Sequence, residues 1–363
     1  MTTTPRAPFA RVHIVGTGLL GTSLGLALVE RGVEVTLSDA SPAAMTLAFD
    51  YGAGLARTQD TASPELVVVA TPPDVVGAVV TQMLGDYPDA LVVDVASVKQ
   101  SIYDELASVP GADTRFVGTH PMAGRERGGA LSARSDLFTA RPWVVCEGDS
   151  DAREALRTLV YSLGAIPVMM SAREHDDAVA VVSHLPQLMA SLSAARLSHA
   201  SPAALALAGA GVRDVTRIAA SDPALWVQIV AANSEPILTQ LRDVATDLGG
   251  IINSLESLGT PGSRATLATA FHNGVAGVSR LPGKHGVSTS VASLIVVIDD
   301  TPGELARLLT QLGEWDVNLE DLRLEHSPGA NVGFADLSLA KSVVEQVEHK
   351  LLSGGWKIAG ETR

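Results

Sequence analysis

The chain has 363 residues, 46% hydrophobic and only 18% charged, which is enough apolar material for two or three cored domains and too little charge for long disordered stretches. Its 40 Asp plus Glu against 26 Lys plus Arg leave a formal charge of −14. That balance argues against nucleic-acid binding, which needs clustered basic residues; an anion could be held only in a locally arranged basic pocket. The single cysteine, Cys146, excludes an intrachain disulfide and a cysteine-rich metal site, and no metal is expected. In the apolar run Trp143–Cys146 it reads as a buried thiol in a reducing compartment. No apolar run able to span a bilayer is read, and Met1–Pro8 lacks the apolar core of a signal peptide, so a cytoplasmic protein without membrane partners is expected.

From residue 11 to about 170, short Val- and Ile-rich runs alternate with amphipathic stretches. The runs are Val12–Val15, Val33–Leu37, Leu66–Ala70, Leu91–Val95, Phe116–Gly118, Trp143–Cys146 and Ile166–Met169; Leu19–Arg31, Asp74–Leu84, Lys99–Val109 and Ala152–Leu163 fall between them. Strands without strict alternation are covered on both faces, so this part predicts a doubly wound α/β domain. Between about 172 and 278 the strand signal gives way to Ala- and Leu-rich helices, with Ser201-Pro202 and Asp222-Pro223 at helix starts. The segment His175–Leu197 places Ala178, Val181, Val182, Leu185, Leu188, Met189 and Leu192 on broad apolar faces. It predicts a helix buried in its own subunit or against a partner, hence an all-α dimerisation domain. Residues 279–289 read as a linker, and 290–363 as a small α+β domain of βαββαβ pattern.

The strongest motif is Gly16-Thr17-Gly18-Leu19-Leu20-Gly21, after one strand and at the start of a helix. Its glycines permit a tight turn, close approach of a pyrophosphate and helix–strand packing, while the helix N-terminus supplies N–H donors. Asp39, ending the second strand 18 residues after Gly21, would accept from ribose hydroxyls and repel a 2′-phosphate, favouring NAD over NADP. Thr71 and Pro72, past the third long strand, are assigned to the same cofactor site. The first domain is therefore read as Rossmann-type, spanning residues 1–171.

Ser97 lies just beyond the strand Leu91–Val95; with Gln100 it fits a helix capping box, yet strand ends near the switch point also hold ligands, and one serine can do both. His120, in Gly118-Thr119-His120-Pro121, follows another strand end and suits a general base. In the helical segment, Pro186 predicts a kink within Ser183-His184-Leu185-Pro186-Gln187, and His175 of His175-Asp176 lies nine residues before His184. These polar residues fit a satisfied core network and a pocket wall equally well. Arg213 and Arg217, in a largely apolar stretch before Trp226, suit carboxylate recognition.

The ordered set GTGLLG, DVASVK, GTHPMAGRE, HDDAVAVVSHLPQ and GVRDVTRIAASDPALW resembles the prephenate and arogenate dehydrogenases of tyrosine biosynthesis, from about residue 10 to 275. The tail, with Asp299–Leu305 and Val317-Asn318-Leu319, resembles an ACT domain, a fold that commonly binds amino acids. The resemblance implies NAD-dependent oxidative decarboxylation of prephenate to 4-hydroxyphenylpyruvate. It implies His120 as proton acceptor from the C4 hydroxyl, Ser97 orienting it, and Arg217 on the ring carboxylate. Trp226 and His184 would line the pocket. Glu126, His175, Arg213 and Asp214 would form an ionic network at its mouth, Arg213 reaching across from a second subunit. Thr301, Pro302, Gly303 and Asn318 would serve an aromatic amino-acid effector. One departure is Gln187, where the family typically ends S-H-L-P-H; it opens the choice between prephenate and arogenate. Beside these readings stands a non-catalytic amino-acid sensor on the same fold. A β-hydroxy acid dehydrogenase would need a catalytic lysine in the helical domain, and residues 172–278 contain none.

Overall fold

The computed structural model describes residues 7–58, 61–124, 128–281, 291–326 and 332–362. They divide into two compact units: residues 1–200 with 215–244, and residues 201–214 with 245–363.

The first unit is built on eight strands: β1 (Arg11–Val15), β2 (Glu34–Ser38), β3 (Leu55–Ala56), β4 (Leu66–Val69), β5 (Leu91–Asp94), β6 (Phe116–Pro121), β7 (Pro142–Val145) and β8 (Ile166–Met169). They form one sheet in the order β3-β2-β1-β4-β5-β6-β7-β8. Every pairing is parallel except β6 with β7, which is antiparallel. The two-residue β3 was not foreseen: Leu55 and Ala56 are exposed at the sheet edge, too short and too polar in context to leave a pattern. Helices α1 (Leu19–Val29), α2 (Pro42–Asp50), α3 (Val76–Asp86), α4 (Gln100–Leu106), the single turn α5 (Ala112–Arg115) and α6 (Ser150–Ser162) return the chain between strands. One apolar core joins Ile14, Leu28, Leu37 and Val68 on one side of the sheet to Phe138, Leu156 and Leu163, and a second collects Val67, Val80, Leu84, Val92 and Phe116. Layers of this kind explain why β4, buried at all four positions, reads as an unbroken apolar run. The order of strands reverses direction between β1 and β4, so their carboxyl ends open a crevice.

Helix α7 (Ala172–Val179) runs through a π-helical turn, Ala180–His184, into α8 (Leu185–Leu197). The expected disturbance at Pro186 is met here by one wide turn just upstream, which accommodates the missing N–H. This 26-residue run is by length and composition apolar enough to cross a bilayer, contrary to the expectation that none exists. Its buried face carries His175, Asp176, His184 and Gln187, hydrogen-bonded or packed within the protein rather than set against hydrocarbon. Its outer face departs from burial in its own subunit: Val181, Val182 and Leu192 are 47%, 63% and 58% exposed. Beyond it lie α9 (Pro202–Ala206), α10 (Ala210–Thr216), α11 (Pro223–Ala232), α12 (Ser234–Glu256) and α13 (Ser263–Val278).

The C-terminal residues form β9 (Val291–Asp299), α14 (Glu304–Glu314), β10 (Asp321–His326), β11 (Val332–Ala340), α15 (Lys341–Ser353) and β12 (Lys357–Thr362). The result is an antiparallel sheet, β10-β11-β9-β12. On β11 alternate residues are buried, and Ala335, Leu337 and Leu339 pack with Leu294, Leu308, Leu312, Val347 and Leu351 in a core of their own. The sequence pattern places the second strand of this unit at Val317–Glu325; β10 begins at Asp321, although the Glu320 amide already donates to the Ser338 carbonyl of β11 at 2.9 Å.

Candidate active site

Two groups of residues stand at the carboxyl ends of the strands. The first surrounds the β1–α1 turn. Gly16 has φ 101°, and a Cβ there would lie 2.4 Å from the Ala70 carbonyl oxygen at the end of β4. Gly21 is closer still, 1.9 Å from the Gly16 carbonyl oxygen. Gly18 differs: a Cβ there meets nothing within 4 Å, so its bareness leaves open space rather than permitting packing. Asp39, at the tip of β2, turns its carboxylate into the loop, accepting from the Thr17 amide (2.6 Å) and hydroxyl (2.9 Å) and from the Ser41 amide (2.7 Å). The Thr71 hydroxyl is buried and has no partner among the described residues, a donor left waiting beside the same crevice. A glycine-lined cradle at a helix N-terminus, a carboxylate beside it and an orphaned hydroxyl fit a dinucleotide.

The second group sits at the ends of β5 and β6. The register pairs Asp94 with Gly118, so His120 projects two residues beyond the last β5 partner. Lys99 is fully buried; its ammonium contacts both Asp94 carboxylate oxygens and donates to the Thr119 carbonyl at 2.9 Å. Thr119 answers with its amide to Asp94 Oδ1 (3.2 Å) and its hydroxyl to the Asp94 carbonyl (2.5 Å). Burial pushes the Asp94 carboxyl up, and the Lys99 charge opposes it. Ser97 occupies the bend between these partners, half-buried. It does not cap α4 as its spacing with Gln100 allowed. The Lys99 and Gln100 amides donate instead to the Asp176 carboxylate from α7, at 2.9 and 2.8 Å.

His120 Nδ1 lies 2.8 Å from His175 Nε2, and His175 Nδ1 lies 2.8 Å from Asp176 Oδ1. His175 is therefore not at a pocket mouth but fully buried behind His120. Burial, then the neighbouring His175, Lys99 and His184, hold the His120 imidazole well below its ordinary 6.5, so it is neutral at physiological pH. Asn233, just after α11, donates to the Asp176 carbonyl (2.8 Å) and to His184 Nδ1 (3.1 Å). Burial pulls His184 down to about 4. His184 meets Trp226 edge to face, centroids 6.0 Å apart. From Trp226 an open cleft of about 390 Å³ continues along Gln187, Leu188, Ala219, Ser221 and Val230. Arg217 opens the short helical turn Arg217–Ala220 leading to that wall and is itself exposed. Arg213 lies on α10, within the other compact unit, also exposed. Glu126 falls outside the described residues.

Sequence reasoning missed Asp94, Lys99, Asp176 and Asn233. The first two left a trace: one acid ending the apolar run LVVD, and one lysine five residues on. Asp176 was in view beside His175 but without a role, and Asn233 carries no local signal.

Residues 24–167 match the nucleotide-binding domain of prephenate dehydrogenase, and residues 171–269 its dimerization domain. The chain is 35% identical over 356 residues to the probable prephenate dehydrogenase NovF of Streptomyces niveus, covering 94% of this chain and 98% of that protein. The chain belongs to the prephenate dehydrogenase family. A second relative, prephenate dehydrogenase of Bacillus subtilis, is 27% identical over 330 residues, 86% of this chain and 87% of that one. Among solved members of similar fold, prephenate dehydrogenase of Aquifex aeolicus in complex with hydroxyphenyl propionate and NAD+ superposes with a TM-score of 0.64 at 25% identity, covering 73% of this chain and 97% of that one. Arogenate dehydrogenase of Synechocystis gives 0.60 at 25% identity, over 73% and 99%.

Proposed function

We propose that the chain catalyses the NAD-dependent oxidative decarboxylation of prephenate to 4-hydroxyphenylpyruvate. The observation that carries this reading is a neutral, buried His120 at a strand end, held at Nδ1 by His175, with the nucleotide cradle on the same edge of the sheet. Gly16–Gly21, with Asp39, Thr71 and Pro72 beside them, would hold NAD, which would supply the acceptor for the hydride at ring C4. His120 accepts the C4 hydroxyl proton through its remaining nitrogen, Nε2. Ser97, on the loop tied to β6 by Lys99, contacts that hydroxyl and orients it. As the C4–O bond becomes a carbonyl, the electron pair of the bond to the ring carboxylate moves through the ring onto the C4 oxygen and CO2 leaves; that oxygen takes the proton back from His120 to give the phenol, and aromatisation drives the step. Arg217 engages the carboxylate beforehand, while His184, Trp226 and Gln187 wall the cleft that takes the side chain. Arg213 and Glu126 are assigned to the charged rim, Arg213 from a second subunit.

A homodimer is supported by the exposed apolar face of α7–α8 and by the description of the matched second domain. A cytoplasmic location is supported by a lone cysteine, Cys146, buried and free. The C-terminal βαββαβ unit is proposed as an ACT-like effector domain, with Thr301, Pro302 and Gly303 in the β9–α14 loop and Asn318 before β10 as its ligand residues. Inhibition by aromatic amino acids should then vanish when residues 288–363 are deleted; inhibition that survives deletion would return the effector to the active site.

The reaction is tested by supplying prephenate or arogenate with NAD and measuring NADH and CO2. Equimolar release of both, with the higher kcat/KM for prephenate, is expected. Turnover of arogenate alone would keep fold and base but assign Gln187 to amino-group recognition, and no NADH from either would revive the sensor.

A further inference from the structure

We propose that Asp176 is a positioning residue that decides which nitrogen of His120 is free to take the substrate proton; this rests on the reading of His120 as the base. The Asp176 side chain is buried and makes three contacts: His175 Nδ1 at 2.8 Å and the Lys99 amide at 2.9 Å on Oδ1, and the Gln100 amide at 2.8 Å on Oδ2. A carboxylate only accepts, so a single proton on the His175 ring resides on Nδ1, facing Asp176 Oδ1. His175 Nε2 is then a lone pair, and His120 Nδ1, 2.8 Å from it, is the donor. His120 Nε2 is left unprotonated, the state a general base requires.

The same carboxylate closes the N-terminus of α4 directly after the Ser97 loop. One side chain thus registers Ser97 and His120 against each other, although one follows β5 and the other lies on β6. The main chain of Asp176 extends the control. Its carbonyl fixes the Asn233 amide, whose nitrogen also donates to His184 Nδ1, leaving His184 with its proton on Nε2 as a donor. Three histidines acquire defined tautomers from one residue and one asparagine.

The test is Asp176→Asn in the full-length protein. An amide presents NH2 to at least one of the three donors and, being uncharged, holds His175 Nδ1–H more weakly even where its oxygen takes the Oδ1 place, so His175 loses its charge-assisted anchor. By analogy with the aspartate of a serine-protease triad, where the wrong tautomer costs about 10⁴, kcat should fall roughly 10²- to 10⁴-fold. KM for prephenate should stay within about threefold, since binding groups are untouched. In a His175→Ala background the same substitution should cost less than about threefold more, because both act through one ring; a simple helix cap would cost the same in either background. Nitrogen-15 spectra of the histidine rings provide a readout independent of turnover and of any variant's folding. Wild-type His120 and His175 should both carry their proton on Nδ1. An Nε2 proton on His120, or an Asp176→Asn enzyme with unchanged kcat, overturns the proposal. If wild type turned over neither substrate, the functional reading would fail, and the ring spectra would still decide the tautomers.

Discussion

The two strand-end groups share a sheet but are made in opposite ways. At the ends of β1 and β4 the sequence removes side chains: Gly16 and Gly21 allow backbone to touch backbone, and Gly18 leaves space. At the ends of β5 and β6 it packs polar side chains into the interior: Asp94, Lys99, His120, His175, Asp176, His184 and Asn233 are all buried. A cofactor that arrives with its own charge and donors needs an open, flexible-free cradle. Proton transfer needs groups whose charge and tautomer are already decided before substrate arrives, and burial with full hydrogen bonding achieves that.

The contrast can be broken by substitution. The largest stability effect is expected for Lys99→Met, which leaves Asp94 buried without its counter-charge; urea unfolding should show a loss of about 3–5 kcal/mol. A loss under about 1 kcal/mol, that of an exposed ion pair, would mean the pair is solvated. At the other end, Gly21→Ala should lower the melting temperature by several degrees, since backbone must move, at a cost of about 1–3 kcal/mol. Gly18→Ala should leave stability within about 0.5 kcal/mol and instead raise KM for NAD about tenfold or more, a loss of about 1.4 kcal/mol of binding. Equal KM in wild type and Gly18→Ala would remove the pyrophosphate from that turn.

Acid should act on the histidines. His13, bonded to Thr36 and Ser38 on β2, is pulled by burial to about 4, as is His184, and His120 is also lowered. The folded chain refuses protons that the unfolded chain accepts near 6.5. Stability is therefore complete above 6.5 and declines as pH falls from there toward about 4. Thermal melts from pH 7.5 to 4.5 check this, and a midpoint independent of pH would contradict it. The smallest effect is expected for Gln187→His, changing the prephenate-to-arogenate ratio of kcat/KM by roughly threefold to tenfold with little change in stability.

The same contrast explains what could be read before any coordinates. The nucleotide cradle is local: six residues, a preceding strand and Asp39 announce it, because backbone geometry restricts residue type within one turn. The C-terminal unit was legible as a βαββαβ order of elements, with β10 beginning later than its pattern suggests. The catalytic end is not local. His120 and Ser97 were found at strand ends, but Asp94 and Asn233 lie 139 positions apart in sequence, and only packing joins them. Ser97 and Gln100 spelled a capping box that the structure did not use, since a carboxylate from α7 competes better for the same amides. The exposed outer face of α7–α8 shows the converse: its apolar pattern was plain, but composition could not say whether its own subunit or another covers it.

The central claim is that His120 takes the proton whose departure lets hydride and CO2 leave. It is tested most directly by mixing enzyme and NAD with prephenate in a single turnover and following NADH absorbance for wild type and His120→Asn. A rate lower by about 10²-fold or more, with NAD affinity unchanged, is the predicted result. A variant that forms NADH within about threefold of the wild-type rate would contradict it, because proton removal by this residue would then contribute under about 1 kcal/mol to the barrier.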